Sequence, residues 1–198
     1  MNPVEEEQII HDLLIDSAKV KTKLAKEKSR QIAQVAEMII HVYENNGKLL
    51  VMGNGGSAAD SQHMVAELVH QYEKKGRKAL PAIALTTNSS IITAIGNDWG
   101  YDQGFERQVE ALATEQDVVI GITTSGNSPN IIKALEMAKS KGAKTITLAG
   151  KDGGKINGLA DITIIVPSDN TARIQEAHIA IIHVLCSLID EHFVESKL

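Results

Sequence analysis

The sequence predicts an α/β fold: a three-layer αβα sandwich, in which a five-stranded parallel sheet carries helices on both faces and a long helical arm precedes it. Three observations carry this reading. Beyond Gly47, short β-branched runs alternate with helix-length segments whose apolar residues recur every three to four positions. The runs show little polar alternation, as strands covered on both faces do. Two of them also end in turns rich in glycine and hydroxyl side chains, each leading from a strand into a helix.

From about Val4 to Asn45, Ile9, Leu13, Leu14, Val20, Leu24, Ile32, Val35, Ile39 and Val42 recur at helical spacing within a charged background. This is a long amphipathic helix, with a break expected near Lys26 to Arg30. Its apolar stripe needs cover, from a second copy of the chain or from the chain's own core. Strands are expected at Lys48 to Met52, Ala82 to Leu85, Val118 to Ile122, Thr145 to Leu148 and Ile162 to Val166. Helices are expected at Ala58 to Tyr72, Ser89 to Ile95, Phe105 to Leu112, Pro129 to Lys141 and Ala172 to Phe193. The 198 residues are the length of one domain, expected over 1–198 with the arm at 1–45 and the α/β core at 46–198.

Composition narrows the partners. The net charge is −5 and the basic residues are dispersed, apart from short runs such as Lys74-Lys75-Gly76-Arg77-Lys78, which argues against nucleic acid. With one Trp, two Phe and three Tyr, stacking on bases is not the expected mode of recognition. The single cysteine, Cys186, lies in an apolar helical run and reads as packing, consistent with a reducing compartment. The opening MNPVEEEQII has neither a basic nor an uninterrupted apolar region, and no apolar run approaches the length of a membrane span. A cytoplasmic protein without a membrane partner is expected.

The first turn, Gly53-Asn54-Gly55-Gly56-Ser57, follows KLLVM; the second, Thr123-Thr124-Ser125-Gly126-Asn127-Ser128, follows DVVIGI. A helix N-terminus offers unpaired N–H groups and a partial positive charge, glycine admits close approach, and hydroxyls add donors. Two such turns point to a phosphorylated small molecule, although ordinary turns capped by Ser57 and Ser128 would have the same composition. GNGGSA fits the loose dinucleotide fingerprint, but the next strand, AIALTT, has no acidic residue for ribose hydroxyls, and neither turn carries a Walker lysine. A sugar phosphate suits them better than a nucleotide.

On the helix after the first turn, His63 and Glu67 stand four residues apart and share a face. Such a pair can ligate a metal or transfer protons; a solvated surface pair has the same spacing. The last helix, TARIQEAHIAIIHVLCSLID, sets Gln175, His178 and His183 in an apolar surface, where polar groups require an explanation. Gln175 and His183 lie about 12 Å apart along the axis and roughly 80° apart around it, so they reach one site only from two sides or from different subunits. His178 points elsewhere and reads as a core or interface histidine. His11, His41, His70 and His192 read as surface or packing residues. Asn97 and Asp98, in IGND, form either a turn or a pair suited to sugar hydroxyls.

Together GNGGSAADSQHMVAEL, AIGNDWG, ITTSGNSPNIIKA, TLAGKDGG and TARIQEAHIAIIH resemble the sugar-isomerase (SIS) domain, and within it the phosphoheptose isomerases, from about Asn45 to the C-terminus. The resemblance implies flavodoxin-like subunits in a homotetramer with active sites at subunit interfaces. It implies conversion of sedoheptulose 7-phosphate to D-glycero-D-manno-heptose 7-phosphate in bacterial surface-glycan synthesis. By motif position, Asn54, Gly55, Gly56, Ser57, Asn97, Asp98, Thr123, Thr124, Ser125, Ser128 and Gln175 would contact substrate. His63, Glu67, Gln175 and His183 would hold one zinc per subunit. Glu67 is the expected general base for the carbon-bound proton and His183 the acid for the oxygen side. Ala172 and Gln71 stand where some members have aspartate and arginine, which bears on substrate contacts rather than on the reaction.

Two other readings share the fold. A paralogue that binds the bacterial replication initiator has a similar TARIQE-like segment but lacks the catalytic carboxylate, and Glu67 favours the enzyme. A sugar-phosphate-sensing regulator would carry a DNA-binding module, for which the non-basic N-terminal helix is unsuited.

Overall fold

The computed structural model describes residues 2–195. Five strands, β1 (Leu49–Gly53), β2 (Ala82–Ala84), β3 (Val118–Ile122), β4 (Lys144–Ala149) and β5 (Ile162–Ile165), form one all-parallel sheet in the order β2-β1-β3-β4-β5. The chain reverses its direction of travel across the sheet between β1 and β3. In open parallel sheets ligands bind in the crevice at such a point, beyond the carboxyl ends of the strands. Gly53 and Ile122 are register partners at those ends, so both glycine-rich turns leave the sheet side by side.

The helices are α1 (Pro3–Glu44), α2 (Gly56–Val69), α3 (Ser89–Asp98), α4 (Glu106–Leu112), α5 (Pro129–Ser140) and α6 (Thr171–Glu195). Alternation along the strands divides the core in two. Leu49, Val51, Val118, Ile120 and Ile122 pack with Met64 and Leu68 of α2, the second half of α1 and the apolar face of α6. Leu50, Met52 and Val119 pack on the other face with Val109 of α4 and Ile131, Ala134, Leu135 and Ala138 of α5. At the amino end of the sheet Asp117 accepts from Lys48 N, Lys48 Nζ and Thr114 N at 2.7–2.9 Å. Burial pushes that carboxyl up, but the Lys48 ammonium and these N–H groups outweigh it and hold it below the usual range.

One expectation needs correction, and one alternative falls away. The break near Lys26 to Arg30 does not occur: α1 runs for 42 residues, about 63 Å. Lys, Glu and Arg are good helix formers, Ser29 returns its hydroxyl to Ala25 O, and Leu24 and Ile32 on either side are buried. Ser57 is not a cap; it is buried inside α2, whose N-cap is Gly55 at φ +56. Two single 3-10 turns, Tyr101–Gln103 and Gly154–Ile156, were not evident from periodicity. Helix α6 is long and apolar enough to cross a membrane by length and composition alone. Ile174, Ala177, Ile181, Ile182, Leu185 and Ile189 are instead buried in the core, with Arg173, His178 and Asp190 among them.

Candidate active site

The two turns are built differently from the starts of α1 and α3. Asn2 and Asn88 cap α1 and α3 with side-chain oxygens, as helix N-termini usually require. Neither α2 nor α5 receives a side-chain cap. The Ser128 hydroxyl, at the N-cap of α5, shares a hydrogen bond of 3.0 Å with Thr123 Oγ1 and so braces the turn. Two uncapped, partly positive helix starts therefore open into the crevice between β1 and β3, as an anion requires.

The turns are tied together. Asn54 Nδ2 donates to Asn130 Oδ1 and Asn130 Nδ2 donates to Asn54 Oδ1, each at 2.9 Å, while Tyr101 Oη donates to Asn54 Oδ1 at 3.0 Å. In the second turn Asn127 N donates to Ser125 Oγ at 3.2 Å, and Asn127 Oδ1 accepts from Lys155 N at 3.1 Å. Gly126, at φ +66, lies against Gly153, whose carbonyl oxygen would be 1.9 Å from any Cβ placed there. Asn97 and Asp98 end α3 facing solvent and bond to each other, Nδ2 to Oδ1, at 2.6 Å rather than to either turn.

Helices α2 and α6 pack side by side in the same direction. At their starts the Gln175 amide lies over Gly56, where a Cβ would come within 2.6 Å of Nε2. About two turns on, the His183 ring meets the His63 ring edge-on, centroids 5.1 Å apart. His63 Nε2 donates to Glu67 Oε1 at 3.0 Å, and Tyr72 stacks on His183 at 5.4 Å. One chain thus brings His63, Glu67 and His183 together and keeps Gln175 at the level of the first glycine-rich turn. The separation of Gln175 from His183, about 12 Å along α6, is realised rather than closed. Glu67 is partly shielded, and Asp60, one turn before His63, has an oxygen buried without a partner. Burial raises the Asp60 carboxyl, opposed by His63.

The remaining histidines separate clearly. His178 is fully buried and donates from Nε2 to Ala149 O at 3.0 Å. His192 is not a bare surface residue: its Nε2 lies 2.9 Å from Glu44 Oε1, joining α6 to the end of α1. Sequence reasoning missed Asn130, Tyr101, Tyr72 and Asp60. Only Asn130 carried a signal, an amide directly after the Ser-Pro that opens α5.

Zinc was an expectation for this site. Among the described residues no three His, Cys, Asp or Glu side chains converge as a ready cage. The donor chemistry of two imidazoles, a carboxylate and an amide oxygen nevertheless fits zinc, and His63 touches both Glu67 and His183.

Comparison with known proteins gives a consistent picture. A family model described as the SIS domain matches residues 15–150. The phosphoheptose isomerase of Citrifermentans bemidjiense is 56% identical over 179 residues, covering 90% of this chain and 93% of that protein. The phosphoheptose isomerase structure from Francisella tularensis superposes with a TM-score of 0.91 at 41% identity, covering 96% of this chain and 100% of that one. That from Neisseria gonorrhoeae gives 0.88 at 42% identity, covering 93% and 98%.

Proposed function

This chain belongs to the SIS domain family, among the phosphoheptose isomerases, and on that premise we propose that it converts sedoheptulose 7-phosphate to D-glycero-D-manno-heptose 7-phosphate. The observation that carries the proposal is the packing of α2 on α6, which sets His183 against the His63–Glu67 pair beside two uncapped helix starts.

The phosphate sits at the N-termini of α2 and α5, held by Gly55 and Gly56 N–H groups and by Ser57, Thr123, Thr124, Ser125 and Ser128. Asn54, Gln175, Asn97 and Asp98 take the sugar hydroxyls. Glu67 removes a proton from C1 while protonated His183 gives one to the C2 oxygen, forming the cis-enediol. Neutral His183 then takes the proton from the C1 oxygen, and Glu67 returns its proton to C2, leaving the aldehyde at C1. In the metal-free site the His63 hydrogen bond orients the Glu67 carboxylate for these transfers. His63, Glu67 and His183, with a Gln175 supplied by another subunit as a fourth donor, would hold zinc, which would supply polarisation of the carbonyl when bound.

The chain self-associates, in this proposal as a homotetramer with sites at subunit interfaces. Ile9, Ile10, Leu13, Leu14 and Ile15 on the first half of α1 are exposed, as are Val184 and Leu188 on α6. Exposed apolar residues in such number suit partner subunits.

The test is a substrate panel. Purified protein is incubated with sedoheptulose 7-phosphate and separately with fructose 6-phosphate, and aldose formation is followed. Turnover of the heptulose well above the hexulose supports the assignment. Binding without turnover of either overturns it in favour of a non-catalytic SIS protein, the class that includes the initiator-binding paralogue.

A further inference from the structure

Helix α2 ends at Val69, two residues after the proposed base, and its last carbonyls need donors. Arg77 supplies them: Nη2 donates to Glu67 O at 2.8 Å and Nη1 to Leu68 O at 2.9 Å and Lys78 O at 2.6 Å. The remaining Nε donates to Asp190 Oδ1. Asp190 in turn accepts at Oδ2 from the backbone N–H groups of Tyr72, Glu73 and Lys74, at 3.1, 2.9 and 3.1 Å. Both side chains are withdrawn from solvent, at 0% and 1% exposure. Burial pushes the Asp190 carboxyl up, but the Lys74 and Glu73 N–H groups and Arg77 outweigh it and hold it below the usual range.

The two ends of this clasp are the two halves of the site. Asp190 is seven residues beyond His183 on α6, two turns along the same face. Arg77 holds the carbonyl of Glu67 itself. Tyr72, whose N–H is held by Asp190, lays its ring on His183. A buried ion pair is a poor source of net stability, since well-packed apolar residues of similar volume are often as stable or more so. What it supplies is direction: seven hydrogen bonds whose geometry fixes the end of α2 against α6.

We propose that the Arg77–Asp190 pair is the positioning element that sets Glu67 and His183 at their working separation. This rests on the assignment of Glu67 and His183 as base and acid. Neither Arg77 nor Asp190 touches substrate; each acts through the backbone of the residues it holds.

The variants are Arg77→Lys, which keeps the charge but loses the planar fork, and Asp190→Asn. The control is Asp117→Asn, which breaks the Lys48–Asp117 pair at the opposite end of the sheet. Thermal stability, kcat, KM and the His183 ring-proton NMR shifts, which report the Tyr72 ring above them, are measured for each. The expected result is a kcat reduced about tenfold or more with KM within about twofold, and displaced His183 resonances, in the clasp variants alone. If Asp190→Asn fails to fold, Arg77→Lys carries the test. Unchanged kcat and unmoved His183 resonances in Arg77→Lys, or an equal loss in Asp117→Asn at matched stability, overturns the proposal. Absent isomerase activity in the wild-type protein with His183 resonances still displaced separates failure of the functional assignment from failure of the clasp.

Discussion

Asn54 and Asn130, 76 residues apart in sequence, exchange a reciprocal pair of amide hydrogen bonds at 2.9 Å. Asn54 lies in the turn before α2 and Asn130 in the first turn of α5, so their bonds fix the spacing between the two helix N-termini proposed to hold the phosphate. Tyr101 adds a third bond to Asn54 Oδ1 from the connection that also carries Asn97 and Asp98. The three segments proposed to surround the sugar phosphate are thereby joined through a single side chain.

Asn130→Ala removes both amide bonds and leaves Asn54 held by Tyr101 alone. Each such bond is worth about 1 kcal/mol net, so KM for the sugar phosphate should rise about tenfold with kcat changed less. Steady-state kinetics check this; an unchanged KM means the Asn54 orientation does not depend on its partner.

Gly56 and Gly126 give opposite expectations. At Gly56 an added methyl meets first the movable Gln175 side chain, so Gly56→Ala should leave the melting temperature nearly unchanged while weakening substrate affinity. At Gly126 the methyl meets the Gly153 backbone and φ is +66, so Gly126→Ala should destabilise by about 1–3 kcal/mol. Thermal and urea unfolding of the two variants side by side would expose an inverted order.

His178 makes stability depend on pH. Burial pushes its imidazole down to about 4 from 6.5, partly opposed by its bond to Ala149. Between those values the unfolded chain binds a proton that the folded chain does not, so stability rises with pH. The contribution is fully present above pH ~6.5 and lost as pH falls toward 4, amounting to about 3 kcal/mol over that window. In urea unfolding at pH 7 and 4.5, His178→Gln should shrink the difference in unfolding free energy by about 2–3 kcal/mol. Parallel wild-type and variant profiles would assign the pH dependence to other groups.

Metal content is directly measurable. Protein purified without chelator and supplied with zinc should hold about one ion per chain, and His63→Ala should lower that occupancy at least tenfold at limiting metal. Elemental analysis after desalting reads this without an activity assay. Equal zinc in both proteins would place the ion elsewhere.

The sheet was legible because its strands are local facts: VVIGI and TITL carry no polar alternation, and five such runs admit little besides a covered parallel sheet. The turns were legible for the same reason. What sequence could not supply is contact across long separations. Arg77 stands in the short basic run 74–78, where nothing in the sequence sets it apart from its lysines, yet its side chain is fully buried against an aspartate 113 residues later. Asp190 was visible only as an acid in an apolar helix. The α1 break was misread because a charged stretch looked like a boundary, whereas Leu24 and Ile32 anchor it from both sides. Gln175 and His183 had a known angle and spacing but no frame; the parallel packing of α2 on α6 provides one.

The central claim is proton transfer by Glu67, and NMR of sedoheptulose 7-phosphate in deuterated buffer tests it most directly. The wild-type protein should form the aldose, with deuterium entering C2 as the proton held on Glu67 exchanges with solvent before its return, and Glu67→Gln should bind the sugar phosphate while turnover falls by roughly 10² to 10⁴. Near-normal aldose formation or deuterium uptake by Glu67→Gln would contradict the account.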